Sequence, residues 1–166
     1  MRIAICPGSF DPVTLGHVEL ILRAYNLFDK IIVLVLTNSE KKYMFSKEKR
    51  VDFLNKVFSN YKNIEVDSFE GLLVDYAKSK GVIAVIKGIR SVTDFDYEKN
   101  MALINKKLNS DLETLFLVSC PDKICISSSM VKQIAGLGGD ISSFVPKSIY
   151  KDIMCFFERE ENSNEY

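Results

Sequence analysis

The chain has 166 residues, with 22 Lys+Arg against 22 Asp+Glu and 47% hydrophobic residues. A chain of this size buries roughly 70% of the surface its unfolded form exposes, so a single domain needs no disulfide or metal to hold it. The zero net charge excludes the basic excess of a general nucleic-acid binder but leaves room for a small anionic ligand at a local site.

The longest apolar run that reads as a strand, residues 31–36, is far short of the ~20 residues of a membrane span, and no membrane partner is expected. The N-terminus lacks the charged, apolar and small-residue series of a signal peptide. The four cysteines, Cys6, Cys120, Cys125 and Cys155, form no Cys-x-x-Cys pair. The only histidine is remote in sequence from the last three. Neither a disulfide framework nor a structural zinc site is expected, and the chain reads as cytoplasmic with reduced thiols.

Strand-like and helical patterns alternate along the chain. Residues 2–6 read as a strand, punctuated by Pro7-Gly8. Val18, Ile21, Leu22, Tyr25 and Phe28 keep a 3.6-residue period over 16–28. Residues 31–37 form a nearly continuous apolar run, as expected of a strand covered on both faces. Ser46 is an N-cap for a helix to about residue 59, with Val51, Leu54, Val57 and Phe58 inward. A short strand at 64–67 leads to a helix over 72–80 that Gly81 closes in the left-handed conformation. A buried strand at 82–87 precedes a helix from Thr93 or Asp94 to about 108. A last strand at 114–118 and a helix at about 128–135 follow. Pro146 fits the first turn of a final helix, and the acidic tail after Phe157 reads as frayed.

Repeated strand-helix-strand units predict an α/β fold: a five-stranded parallel sheet with helices on both faces and right-handed crossovers. Residues 1–157 read as one domain and 158–166 as a polar tail. In such sheets ligands sit beyond the carboxyl ends of the strands, and the unusual residues cluster there. The first strand is followed by Pro7-Gly8-Ser9-Phe10-Asp11-Pro12-Val13-Thr14-Leu15-Gly16-His17. This is neither a Walker loop nor the dinucleotide fingerprint. Gly8 permits close backbone approach. Gly16-His17 opens a helix, whose N-terminus favours an anion. His17 is either a capping residue or a phosphate ligand, and its place in that first turn favours the ligand.

Three later segments fall at equivalent places. After the second strand comes Asn38-Ser39-Glu40-Lys41-Lys42-Tyr43-Met44-Phe45, where Lys41 is either solvated or meets a phosphate. The fourth strand ends in Ile86-Lys87-Gly88-Ile89-Arg90-Ser91, followed by Val92-Thr93-Asp94-Phe95-Asp96-Tyr97-Glu98. After the fifth strand comes Ile126-Ser127-Ser128-Ser129-Met130-Val131-Lys132. Capping explains one of these serines, and three at a helix start suit a phosphate cradle.

Gly-Ser-Phe-Asp-Pro followed by Thr14-Leu15-Gly16-His17 resembles the signature of the nucleotidyltransferases with a (His/Thr)-x-Gly-His motif. The segments Lys-Lys-x-Met-Phe, Lys-Gly-Ile-Arg with Asp-Phe-x-Tyr-Glu, and Ile-Ser-Ser-Ser-x-Val-Lys resemble the phosphopantetheine adenylyltransferases within them. The resemblance spans residues 2 to about 157 and implies a Rossmann-like dinucleotide-binding fold. It implies adenylyl transfer from ATP to 4′-phosphopantetheine, giving dephospho-coenzyme A and pyrophosphate by direct in-line attack. His17, Thr14 and Lys41 are then catalytic. ATP meets Ser9, Phe10, His17, Gly88, Ile89, Arg90, Glu98, Lys123, Ile124, Cys125, Ile126, Ser127, Ser128 and Ser129. The acceptor meets Ser9, Lys41, Leu73 and Lys87. Mg²⁺ is expected on ATP oxygens, coenzyme A as a feedback inhibitor, and a homohexamer as the assembly. Two positions depart from the pattern: Lys87 stands where the family often has Arg, and some members carry an aromatic residue near Lys123. The rival readings are a nicotinamide-mononucleotide adenylyltransferase, a cytidylyltransferase, and a non-catalytic nucleotide-binding protein. The cytidylyltransferase type of second motif, Arg-Thr-x-Gly-Ile-Ser-Thr-Thr, does not occur. A non-catalytic relative would be expected to have lost His17 or Lys41.

Overall fold

The computed structural model describes residues 1–37 and 42–163, with side chains through residue 158. Its elements in chain order are β1 (Ile3–Gly8), α1 (Leu15–Tyr25), β2 (Lys30–Leu36), α2 (Lys47–Phe58), β3 (Ile64–Phe69) and α3 (Leu73–Lys80). There follow β4 (Ala84–Ile89), α4 (Val92–Leu108), β5 (Glu113–Val118), a 3₁₀ turn at Pro121–Lys123, α5 (Ser128–Gly136) and α6 (Lys147–Ser163). All strand pairs are parallel, and the sheet order is β3-β2-β1-β4-β5. The five-strand α/β expectation therefore holds, with the order reversing between β1 and β4.

The continuous apolar runs divide by parity, because successive strand side chains point to opposite faces. Ala4, Cys6, Ile31, Val33, Val35, Ala84 and Ile86 belong to a large core with α1, α2, α5 and α6. Ile5, Ile32, Leu34 and Val85 join a smaller core with Val74, Tyr76 and Ala77 of α3. Burying both faces explains why β2 shows no polar alternation.

β1 runs two residues past the expected end, with Pro7 opposite Leu34 and Gly8 opposite Val35. Its pairing with β4 stops at Ile5 opposite Val85. Beyond that point Pro7 has no β4 partner to serve, so its missing N–H is tolerated. The same divergence opens a crevice between β1 and β4 where the strand order reverses.

Several caps match the sequence. Ser46 Oγ accepts from the Lys49 amide to start α2, and Gly81 closes α3 at φ 64°. Inside α2 the buried residues are Arg50, Phe53, Leu54 and Phe58, so a charged residue shares the inward face expected for Val51 and Val57. Pro146 sits directly before α6, where its carbonyl accepts from the Ile149 amide. α6 continues through Ser163, beyond the start of the expected tail. α4 has no buried residue. It exposes Tyr97 at 66% and Leu103 at 64%, and the edge strand β5 also exposes Leu115 and Val118.

Candidate active site

The crevice at the carboxyl ends of β1 and β4 is a cleft of about 410 Å³. Its floor is Cys6, Gly8 and Ile86, and its rim carries Lys87, Arg90 and Lys123. With Glu98 in the same lining, these three cations still leave the lining net positive in a chain whose net charge is zero, which suits an anion. Cys6 is 2% exposed, and burial pushes its thiol up to about 12, so it serves as packing.

The first loop is built around Phe10, a non-glycine residue at φ 48°. A backbone held there costs about 1–2 kcal/mol and persists because the surroundings enforce it. The Phe10 ring lies over Gly8, where an added Cβ would sit 3.0 Å from Cζ. It also meets the His17 ring edge-on, with centroids 5.2 Å apart. Gly8 is therefore small because an aromatic ring covers it.

Thr14 and His17 form a reciprocal cap. Thr14 is the N-cap of α1 and 0% exposed. Its Oγ1 accepts from the His17 amide at 3.4 Å, and its own amide donates to His17 Nδ1 at 3.1 Å. This is the capping-box arrangement with histidine in the place usually held by glutamate. A ring nitrogen that accepts cannot carry the proton of a neutral imidazole, so the proton is assigned to Nε2. Burial, and secondarily the charge of Arg90, lower the His17 pKa to about 4. The ring is thus a neutral Nε2–H donor lining the cleft.

The helix start offers fewer free amides than the sequence suggested. The Leu15 amide donates to the Phe144 carbonyl at 2.9 Å, and the His17 amide is used by Thr14. The anion-binding contribution of α1 is therefore the imidazole and the dipole rather than a row of amides.

The opposite wall comes from α5. Ser127 is its N-cap and accepts from the Met130 amide at 3.1 Å. Ser128 Oγ donates to the Pro12 carbonyl at 2.7 Å, which leaves that oxygen only as an acceptor. The donors remaining for a phosphate are the Ser127 and Ser129 hydroxyls and the Ser128 and Ser129 amides, which have no preceding helical carbonyl. On the β4 side, Lys87 Nζ pairs with Glu98 at 3.1 Å. Arg90 Nε pairs with Asp94 at 3.2 Å. A Cβ on Gly88 would come 3.2 Å from Leu20 of α1, so glycine there lets α1 pack closely on β4.

A cytidylyltransferase-like family model matches residues 5–134. The chain is 52% identical over 159 residues to a phosphopantetheine adenylyltransferase of Caldanaerobacter subterraneus subsp. tengcongensis, covering 96% of this chain and 99% of that protein. It is 51% identical over 153 residues to the protein of the same name from Clostridium perfringens, covering 92% and 93%. The chain belongs to the phosphopantetheine adenylyltransferase family.

Solved structures agree on the fold. A bifunctional NMN adenylyltransferase/ADP ribose pyrophosphatase from Francisella tularensis superposes with TM-score 0.74 at 12% identity, over 95% of this chain and 50% of that one. A lipopolysaccharide core biosynthesis protein from Thermoplasma volcanium superposes with TM-score 0.55 at 18% identity, over 72% of this chain and 98% of that one.

Of the residues matched to the family from sequence, the cleft gathers Ser9, Phe10, His17, Lys87, Gly88 and Arg90. It also gathers Glu98, Lys123, Ile126 and the three serines. Thr14 stands behind His17 rather than in the wall. Ile89, Ile124 and Cys125 lie outside the lining, and so does Leu73, which packs against the smaller core at the start of α3. Lys41 lies outside the described residues.

Two charged residues beside this family's cleft escaped the sequence reading. Asp11 is 4% exposed and Arg50 is 1% exposed. Arg50 had a visible signal, since it shares the helical face of Phe53 and Leu54. Asp11 had a weaker one, an acidic residue between Phe and Pro in a loop of buried neighbours.

Proposed function

We infer that the chain transfers the adenylyl group of ATP to 4′-phosphopantetheine, forming dephospho-coenzyme A and pyrophosphate in the penultimate step of coenzyme A synthesis. The observation that carries this reading is identity of about half the residues, over nearly the full length, with proteins of that name. A phosphate oxygen of the acceptor attacks the α-phosphorus of ATP, a new P–O–P link forms, and the bond to the β-phosphate breaks. The acceptor phosphate has its second pKa near about 6, so it is largely ionised at neutral pH and needs no general base. Positioning and charge stabilisation remain for the protein to supply.

His17 donates from Nε2 to a non-bridging α-phosphate oxygen, and Thr14 holds the ring in that tautomer. Lys41 steadies the developing charge and the acceptor phosphate, on the strength of the family resemblance. Arg90, Ser127 and Ser129 hold the β- and γ-phosphates, with Ser128 fastening α5 to the first loop. Ser9 and the Phe10 backbone contact ATP. Gly88, Ile89 and the backbone of Lys123, Ile124, Cys125 and Ile126 surround the nucleoside. Leu73 and Lys87 face the pantetheine arm, while Glu98 lies on the ATP side and shares the charge of Lys87.

Among the described residues no group of three His, Cys, Asp or Glu side chains could hold a metal ion. On the family resemblance, Mg²⁺ would be carried on ATP oxygens and would supply charge neutralisation there. The exposed apolar residues of α4 and of the edge strand β5 support a homo-oligomer, with the hexamer as the proposed assembly. Coenzyme A shares the pantetheine and adenylate parts of the product and competes at the cleft. The free state of all four cysteines supports work in the cytoplasm. No helix among the described residues is long and apolar enough to cross a membrane.

The test is pyrophosphate release with ATP or CTP and a panel of 4′-phosphopantetheine, nicotinamide mononucleotide and glycerol phosphate. Release with ATP and 4′-phosphopantetheine alone is expected. Release with another pair would keep the chemistry and replace the acceptor. Binding of ATP with no release from any pair would overturn the enzymatic reading.

A further inference from the structure

The buried carboxylate of Asp11 joins three separate parts of the molecule. Its Oδ1 accepts from the Phe45 amide at 2.9 Å. Its Oδ2 accepts from the Met44 amide at 3.0 Å and from Lys132 Nζ at 2.9 Å. Met44 and Phe45 belong to the chain leading from β2 into α2. Lys132 lies one helical turn beyond Ser128 on α5, so it shares the face by which Ser128 reaches the first loop. Asp11 itself lies between Phe10, whose ring packs on His17, and Pro12, whose carbonyl receives Ser128 Oγ.

Arg50 reinforces the same junction from the other side. Its Nη1 donates to the Ser9 carbonyl at 2.8 Å, and its guanidinium lies 4.0 Å from the Tyr43 ring centroid. Residues 9–11 and 43–45 are thus held together by two buried groups of opposite charge. A carboxylate this deeply buried with only apolar neighbours would cost several kcal/mol. Here it meets three donors, two amides of the chain entering α2 and an ammonium of α5, the helix whose first turn lines the cleft.

We propose that Asp11, acting with Lys132, is a positioning residue for the transfer reaction: it sets the spacing between the His17 loop, the chain entering α2 and the α5 phosphate cradle. The inference rests on the proposed adenylyl transfer. Asp11 and Lys132 bond to each other and to the Met44 and Phe45 amides rather than to Arg90, Ser127 or Ser129, so their loss falls on alignment more than on ground-state affinity for ATP. In-line attack needs the acceptor side, the imidazole and the triphosphate aligned together, and misplacement of about 1 Å can cost roughly a hundredfold in rate.

Asp11→Asn removes the charge and one acceptor, Lys132→Met removes the ammonium, and Lys132→Arg keeps a cation. Steady-state kinetics with ATP and 4′-phosphopantetheine, ATP affinity and thermal denaturation are measured for each beside the native enzyme. In Asp11→Asn and Lys132→Met, kcat is expected to fall roughly ten- to a hundredfold while ATP affinity changes by less than about threefold. Lys132→Arg is expected to recover most of the rate. Turnover within about twofold of native in Asp11→Asn, whatever happens to its Tm, would overturn the proposal. If Asp11→Asn fails to fold, Lys132→Met decides alone: native turnover overturns the proposal, and lost turnover at retained ATP affinity supports it. No turnover by the native enzyme would instead defeat the reaction assignment, and the positioning role with it.

Discussion

His17 is the only histidine in the chain, so every imidazole signal in a nitrogen-edited NMR spectrum of untagged protein belongs to it. The perturbation is pH, lowered from 8 to 4 on the ligand-free enzyme. The ring is expected to titrate at about 4 rather than 6.5. At about 1.4 kcal/mol per pH unit, that displacement favours the neutral ring by about 3 kcal/mol. Unfolded chain takes up the proton near the ordinary value, and native protein does so only near 4. Between those values the unfolded state binds more protons, so stability rises with pH across the window. Acidification through it removes up to about 3 kcal/mol from this group, and above the ordinary value the group has no effect. At pH 7 the spectrum is expected to show the proton on Nε2, since Nδ1 accepts from the Thr14 amide. Titration near 6.5, or a proton on Nδ1, would refute the assignment of His17 as a neutral donor.

Other outcomes follow from single contacts. Gly8→Ala places a methyl 3.0 Å from the Phe10 ring; the ring must shift by about a few tenths of an ångström against His17, and kcat is expected to fall roughly tenfold in steady-state kinetics. Ser128→Ala breaks the 2.7 Å bond to the Pro12 carbonyl. Denaturant titration should show a loss of about 1 kcal/mol, with a raised KM for ATP as the α5 wall loosens. Gly81→Ala forces a side chain into φ 64° with no atom within 4 Å. It is expected to cost about 1 kcal/mol, read as a Tm lower by about 2–4 °C, with kcat unchanged. Leu103→Glu puts a charge on the exposed face of α4, and sedimentation should show a smaller assembly than the native protein forms.

The sheet was legible because its strands are short β-branched runs between helical patterns, and because Ser46 and Gly81 are unambiguous punctuation. Pro7-Gly8 misled at the end of β1: it reads as a turn locally, while the partner strand that would have objected to proline had already diverged. The cleft was legible wherever a residue's place after a strand matched its chemistry, as for His17, Arg90 and the serines. The roles within it were less legible. That Ser128 spends its proton on Pro12, and that Leu15 spends its amide on Phe144, depends on partners more than a hundred residues away. Asp11 was opaque for the same reason, since its carboxylate is explained by Lys132 and by two amides 33 and 34 residues along the chain. Arg50 could have been found by noticing a charge on an apolar helical face.

The position His17 occupies has a consequence for how this protein responds to selection for stability. The third residue of a helix behind a threonine cap is where glutamate or glutamine performs best as a capping partner. Histidine there is a compromise for the helix and, in the proposed transfer, the donor to the α-phosphate. A screen that rewards only thermal resistance should therefore enrich acidic or amide residues at this site and yield well-folded, inactive protein. Conversely, any lineage that loses its substrate can drift toward a better cap at no structural penalty. The identity of the residue three places after Thr14 thus reports whether turnover has been under selection.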